Sequence, residues 1–574
     1  MTKNILFFTF ISFLGFKNFA QVSPENTNFG NPMDIPLIVA GNFGEVRSNH
    51  FHTGLDLKTQ GVRGKKIKSI EKGYVSRIAF SLYGYGRVIY ISHPNGYTSV
   101  YAHLSKFNSE IEKYIQTIQL ENQKETFSIY LDSNEMEVLK GQVIAFSGNS
   151  GGSSAPHLHF EIRETLSENP MNPLLFGYKI KDVQKPIIKA VKIYPMEIGS
   201  QINGKQTAQV FPVRRIKTGK YILKKKVNAS GKIGFAIHTY DKMNAKRNIC
   251  GVYSIKSECN NETFFSHKMS KLDFSTNRFM NHHVDYKLHK AKRNNFHKAF
   301  LKGNNKLDIY SKVKDNGYLN IEKGKSYKMK FTVKDYAKNT STLSFNVTYG
   351  SWLFKVLKKE KFTKTFLHQE ANYFDTTNCT ILLSEYTLYD DLNFKYKVTK
   401  SDDYLSDIHE IHNKYTAVQK KFKIILSPKN KMDSSSLSKA LIVQVGNKKI
   451  YAKGGTITPE GNITTRLKNF GNFAIFYDIE PPKVELITDS VSLLNLTKNS
   501  IIKLKISDNL AGIESYNVYL DGNWIISNYR RKKGELWIDL SKVETLLSGE
   551  HSIEVIITDE RGNESITEIN IHIN

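Results

Sequence analysis

Cysteine is scarce, with only Cys250, Cys259 and Cys379 among 574 residues. So few thiols cannot staple a disulfide scaffold, and none stands in the Cys-x-x-Cys spacing of a structural zinc site. At most one bridge can form, and Cys250 with Cys259 is the favoured pair. Long apolar runs are also lacking. The strongest, Ile5 to Phe16, falls short of the ~20 residues that a spanning helix requires, and no later segment approaches it. A His-Glu-x-x-His helix is missing, and with it the usual zincin glutamate base. Acidic residues are outnumbered: 82 Lys and Arg against 54 Asp and Glu leave a net charge of +28.

What is present begins with a leader. Lys3, the run Ile5 to Phe16 and Asn18-Phe19-Ala20 before Gln21 read as a cleavable secretory signal peptide over residues 1–20. No cysteine follows it, which argues against a lipid anchor there. The mature chain is therefore expected outside the cytoplasm: periplasmic, in the cell envelope or secreted. That location excludes nucleic acid as the partner of the positive charge and points instead to anionic envelope polymers. With 40% hydrophobic, 12% aromatic and 24% charged residues, the chain has ample material for about three to five globular domains.

Two phrases recur. Asp182-Val183-Gln184-Lys185-Pro186 and Asp478-Ile479-Glu480-Pro481-Pro482 both place proline four residues after aspartate, as at the entrance to a β-domain. Val333-Lys334-Asp335 to Asn339 and Ile557-Thr558-Asp559 to Asn563 both set an Asp-x-x-x-Asn turn between alternating runs. The expected organisation is a first domain over 21–184, a β-sandwich module over 185–350, a β-rich module over 351–480 and a β-sandwich over 481–574. The last of these, with Ser507-Asp508-Asn509 through Gly512-Ile513 and Leu520-Asp521-Gly522, resembles bacterial immunoglobulin-like domains. The chain is thus expected to be mainly β. One helical insert is predicted over 109–122, from Ile111, Tyr114, Ile115 and Ile118 at helical spacing behind a Ser109-to-Glu112 capping box, packing over the sheet or bordering a groove.

Three clusters carry chemistry. His52-Thr53-Gly54-Leu55-Asp56 places an imidazole and a carboxylate four residues apart. On a straight strand they would stand ~13 Å apart, so a shared metal needs the bend that Gly54 permits. In His157-Leu158-His159-Phe160-Glu161, alternation puts His157, His159 and Glu161 on one face, with Leu158 and Phe160 toward the core. Tyr101-Ala102-His103 is the third. Two histidines and a carboxylate suffice for a catalytic zinc that keeps a place for water. Taken singly, though, a His-x-His strand or a lone histidine is more often a surface or hydrogen-bonding feature.

In full context the segment resembles the lysostaphin-type (LytM/β-lytic) zinc metallopeptidases. The text that carries this is Asn49 to Asp56, Gly84-Tyr85-Gly86, Tyr97 to Ser105, Lys140-Gly141-Gln142, Gly148 to Glu161 and Asn169-Pro170. The resemblance implies an antiparallel β-sheet peptidase domain whose zinc ion (Zn2+) is bound by His52, Asp56 and His159, with His103 and His157 as catalytic histidines. It also implies hydrolysis of peptide bonds in peptidoglycan. Ala155 stands where the family commonly has glycine, which narrows the groove slightly. The insert between Ser105 and Lys140 is longer than in minimal members and bears on substrate access.

Other residues weigh less. His50 is expected to be a neighbour of His52, and Glu161 either to accept a hydrogen bond from a ligand or to meet a substrate amine. Tyr83 and Tyr85 are candidates for lining a peptide groove. The stretch from His267 through His282, His283, His289 and His297 is expected to be a solvated basic face rather than a metal site, because its spacing matches no ligand pattern. The leading expectation is an exported zinc endopeptidase, with the β-modules positioning it on the wall. The alternative is a non-enzymatic wall-binding protein or activator of other wall hydrolases; relatives of that kind usually lose metal ligands, and this chain keeps the full set.

Overall fold

Strand accounts for 47% of the chain and helix for 9%, as the short alternating runs between Gly, Asn and Asp clusters require. The computed structural model describes residues 22–243, 248–353, 360–488, 493, 495–543 and 545–574. The expected signal peptide, 1–20, lies outside them. Among the described residues no helix is long and apolar enough to cross a membrane.

The first sheet is built around β1 (Leu55–Lys58), β2 (Gly73–Phe80), β3 (Arg87–Ser92), β4 (Tyr97–Phe107), β5 (Val143–Ser147) and β6 (His157–Glu164). Their order β1-β6-β4-β3-β2 is antiparallel, and β5 pairs with the far end of β4. β6 is therefore a central strand, and its register does the assembling. His159 lies opposite Asp56 on one side and Ala102 on the other. Directly opposed residues share a sheet face, so clusters about fifty residues apart in sequence converge at one point. The alternation of β6 holds: Leu158 and Phe160 are buried in the core with Tyr101, Leu55 and Leu57, each fully buried side chain contributing roughly 1.5–3 kcal/mol.

Helix α1 (Ser109–Asn122) covers the expected span. Its cap differs from the Ser109 box. Asn108 is the N-cap, accepting from the Ile111 amide, while Glu112 reaches back to the Phe107 amide. Asparagine is as good a cap as serine, and starting one residue earlier lets both side chains satisfy free amides. Ile111 and Ile115 sit in the core of the first sheet. Glu112 lies 3.6 Å from Arg87 and 3.8 Å from Lys542, so the helix packs over the sheet and meets the last module instead of bordering the groove.

Beyond Ile187 the strands form further sheets. In the second, the strands Ile187–Pro195, Gln209–Lys217, Lys220–Leu223, Thr340–Tyr349 and Val227–Tyr240 pair in sequence until the last returns to the first, closing a ring. From this ring an excursion carries α2 (Met280–His283) and α3 (Tyr286–Lys292) toward the first domain. Two five-stranded sheets follow between Asn372 and Tyr477, and two four-stranded sheets over one shared core follow Lys483. The recurring motifs meet in space. Asn339 donates its side-chain amide to Asp335 and to the Asp182 carbonyl; Asn563 donates to Asp559 and to the Asp478 carbonyl. Each Asp-x-x-x-Asn turn thus latches its own linker.

All three cysteines are free thiols, so the expected Cys250–Cys259 bridge is not formed. Cys250 pairs with Asp241 and is buried in the core of the first domain, whereas Cys259 ends the strand that begins at Ser254. The polypeptide between them is largely extended, which carries the two thiols apart.

Candidate metal centre and groove

The chain bends at Gly54 between His52 and β1. The glycine is required by close approach, since a Cβ there would lie 2.4 Å from the Phe160 carbonyl oxygen. The bend sets His52 Nε2 3.1 Å from Asp56 Oδ1 and 3.0 Å from His159 Nδ1, which is itself 3.0 Å from Asp56 Oδ1. Donors on a tetrahedral ion with bonds of 2.0–2.1 Å stand about 3.3 Å apart. This near-equilateral triangle of two imidazole nitrogens and a carboxylate oxygen therefore fits zinc.

Each donor is held from behind. His52 Nδ1–H donates to the Asn42 carbonyl at 2.9 Å, which leaves Nε2 with its lone pair. Asp56 Oδ2 accepts from Arg47 at 2.8 Å. His159 Nε2–H donates to Glu161 Oε1 at 2.8 Å, and Glu161 also accepts from Thr53, Tyr85 and Arg163. Such outer partners fix tautomer and ring orientation in metal sites. Of the two roles open to Glu161, the hydrogen bond from a ligand-type histidine is the one formed.

The electrostatics agree. Burial favours neutral Asp56, but His52, His157 and His159 outweigh it and hold the carboxyl well below its usual range. Burial likewise opposes a charged His159, yet Asp56 and Glu161 raise it to about 9. The two carboxylates call for positive charge at this point, and a divalent cation at Nδ1 meets the same demand. Burial lowers His52 against the pull of Asp56 and pushes His103 down to about 3, with His159 and His157 adding to the effect.

His103 reaches the groove by an irregular route. Strand alternation would turn it to the face opposite Ala102. Instead φ is 61°, and β4 bulges there, with Tyr101 opposite Ile89 but Leu104 opposite Arg87. Bulges re-aim side chains in this way beside active sites. The ring comes within 4.8 Å of His157 and 5.8 Å of His159, centroid to centroid. His103 Nδ1 is bound to the Ser150 carbonyl and His157 Nδ1 to that of Ala155. In both rings the N–H is thereby committed and Nε2 keeps its lone pair; that of His157 is 3.4 Å from Asp56 Oδ1.

These residues line a cavity of about 1370 Å³ that also takes in His50, Tyr85 and Ala155. Tyr83 does not line it; Arg531 of the last module lies 4.2 Å over its ring. Part of the wall comes from elsewhere in the chain: Phe274, Asn277, Arg278, His289, Arg293 and Asn295 of the second module and Lys468 of the third. Sequence reasoning did not place these in the groove, although Phe274 to Asn295 fall within the histidine- and lysine-rich stretch it singled out. Arg163 had a signal, being two residues beyond Glu161 on the same strand face, whereas Lys468 had none.

The histidine-rich stretch is not the solvated face that was expected. His267, His282, His283, His289 and His297 are all buried, none more than 6% exposed. Lysines carry the solvent side, as with Lys287, Lys290 and Lys292 on α3, while burial holds His267 at about 4 and His297 at about 3.

The sequence model of peptidase family M23 matches residues 50–120 and 108–173, and that of the Zu5-like domain matches 363–478. An uncharacterized metalloprotease of Haemophilus influenzae is 30% identical over 152 residues, covering 26% of this chain and 24% of its own. The DD-carboxypeptidase/endopeptidase Mpg of Neisseria meningitidis is 30% identical over 123 residues, 21% of this chain and 22% of its own. The match thus spans about a quarter of these relatives' length. Among solved structures, the lysostaphin catalytic domain of Staphylococcus simulans is 26% identical, covering 24% of this chain and 87% of its own at a TM-score of 0.18. The chain carries a peptidase family M23 domain of the lysostaphin/LytM type.

Proposed function

We propose that this protein is an exported zinc metalloendopeptidase that hydrolyses peptide bonds in peptidoglycan stem peptides or cross-links. The observation that carries the reading is the donor triangle of His52, Asp56 and His159 beside two imidazoles, His103 and His157, whose Nδ1 atoms are tied to backbone carbonyls. Zinc, held by those three residues, supplies Lewis-acid polarisation of the scissile carbonyl and brings the pKa of water toward ~7. His103 and His157 supply the proton chemistry. Each accepts a hydrogen bond from the attacking water at Nε2. The one that takes the proton becomes a donor, first to the tetrahedral oxyanion and then to the leaving amine.

Arg47, Lys58, Arg278, Arg293 and Lys468 along the cavity suit an anionic polymer, as does the net charge of +28. The leader over 1–20 supports export to the envelope, and the β-modules serve to position the enzyme there. The test is mass spectrometry of fragments released from purified sacculi by the zinc-loaded chain, beside Asp56→Ala and His103→Ala. Release that disappears in both variants is the expected result. Release unchanged in both, or none from the wild type with zinc bound, overturns the reading.

A further inference from the structure

Outside the groove, His267, His283 and His297 each offer a ring nitrogen, and these atoms lie within 4.8 Å of one another. They arrive from three separate elements: the strand Glu262–Lys268, the last residue of α2, and the strand Phe296–Lys298. All three are buried. His283 Nε2 is 3.1 Å from His297 Nδ1, close to the about 3.3 Å that separates two donors on a tetrahedral ion. On its other side His283 Nδ1 is 3.1 Å from the Tyr310 hydroxyl, which Asn305 anchors at 2.8 Å. That is the outer partner a ligand histidine requires.

His267 completes the case. Both of its ring nitrogens are buried with no hydrogen-bond partner, although its ring stands only 4.8 Å from that of His283. A buried imidazole with neither nitrogen engaged is an exception to the satisfaction of buried polar groups. A cation among the three rings engages it.

We propose that His267, His283 and His297 form a second metal site, structural in role, for a late first-row divalent cation of the zinc type. Three imidazoles and no carboxylate favour such ions over calcium or magnesium, which seek oxygen. The site stands directly behind the groove. The Phe51 ring packs edge-on to His283 at 5.7 Å. Asn277, three residues before α2, grips the Phe51 backbone twice, at 2.7 and 3.0 Å. An ion that fixes α2 to the second sheet therefore also fixes the segment ending in His52. The inference does not depend on the hydrolase reading.

The experiment is elemental analysis of the full chain after chelator stripping, reloading with zinc alone and dialysis. Two ions are expected per wild-type chain, one in a His52→Ala/Asp56→Ala variant and one in His267→Phe/His297→Phe. X-ray absorption on the groove variant, which leaves the buried cluster intact, should show a first shell of nitrogen without carboxylate. A groove variant that retains no ion, or whose ion survives His267→Phe/His297→Phe, overturns the proposal. A wild type holding one ion that only the His267 variant loses would instead defeat the groove assignment and leave this site standing.

Discussion

His159 and Glu161 face the same way from one strand, and the Nε2–H of the first donates to the Oε1 of the second at 2.8 Å. Glu161 is fully buried, with Arg163 outweighing the cost of burying its charge and His159 assisting, so the carboxyl lies well below its usual range. In the proposed centre it would aim His159 Nδ1 at the ion. Glu161→Gln should therefore keep the fold and weaken zinc affinity by roughly 10–100-fold, measured by competition with a chromogenic chelator. Unchanged affinity would remove Glu161 from the centre.

If His103 and His157 handle the proton as proposed, loss of either imidazole should separate chemistry from binding. His157→Ala and His103→Ala are expected to lower kcat by roughly 10²–10⁴-fold while each variant retains a full complement of zinc in the groove. KM on a short peptide should move little. A matching fall in metal content would mean that these residues act as ligands.

Salt should distinguish wall attraction from catalysis. Exposed charges are screened within about 8 Å at physiological ionic strength, so binding to isolated sacculi should weaken steeply as salt rises. The rate on a short soluble peptide should hardly change. Equal sensitivity in the two assays would mean that the positive surface does not recruit the enzyme.

Glu125 predicts a pH dependence of stability. It is buried beneath the last module, accepting from the Tyr516 hydroxyl, and burial raises it from 4.5 to about 7 despite Tyr516 and Arg87. The folded chain then binds more protons than the unfolded one between those values, so stability falls as pH rises from about 4.5 to 7 and stays low above. The shift corresponds to about 3 kcal/mol at most. Melting at pH 5 and pH 8 should show the difference, and Glu125→Gln should flatten it.

The two turn latches give a paired test. Asn339→Ala and Asn563→Ala each remove a donor to a carboxylate and a linker carbonyl, at an expected cost of about 1–3 kcal/mol each. Because the latches lie in different modules, the losses should add in the double variant. Coupling well beyond about 0.5 kcal/mol would mean that the two latches interact energetically despite lying in different modules.

How much of this was legible depended on distance along the chain. His52, Asp56, His157 and His159 sit in short motifs whose spacing survives folding, and strand alternation placed Leu158 and Phe160 in the core correctly. His103 was legible as a residue but not as a direction, because its position relies on a bulge and a φ of 61° that no neighbouring glycine announces. Asn277 meets Phe51 across 226 residues, a contact with no local signature. The histidine-rich stretch misled for a different reason. Its lysines do face solvent, and only the fold reveals that the interleaved histidines turn inward.

The contacts of Leu82, Tyr83 and Glu125 with the last module carry a consequence for biogenesis. The first domain is made before the last module, yet a buried carboxyl and part of its rear surface find partners in residues such as Tyr516 and Arg531, which follow hundreds of residues later. Until those residues arrive, the early domain travels with that surface uncovered. Truncation after the third module would make this transient state permanent.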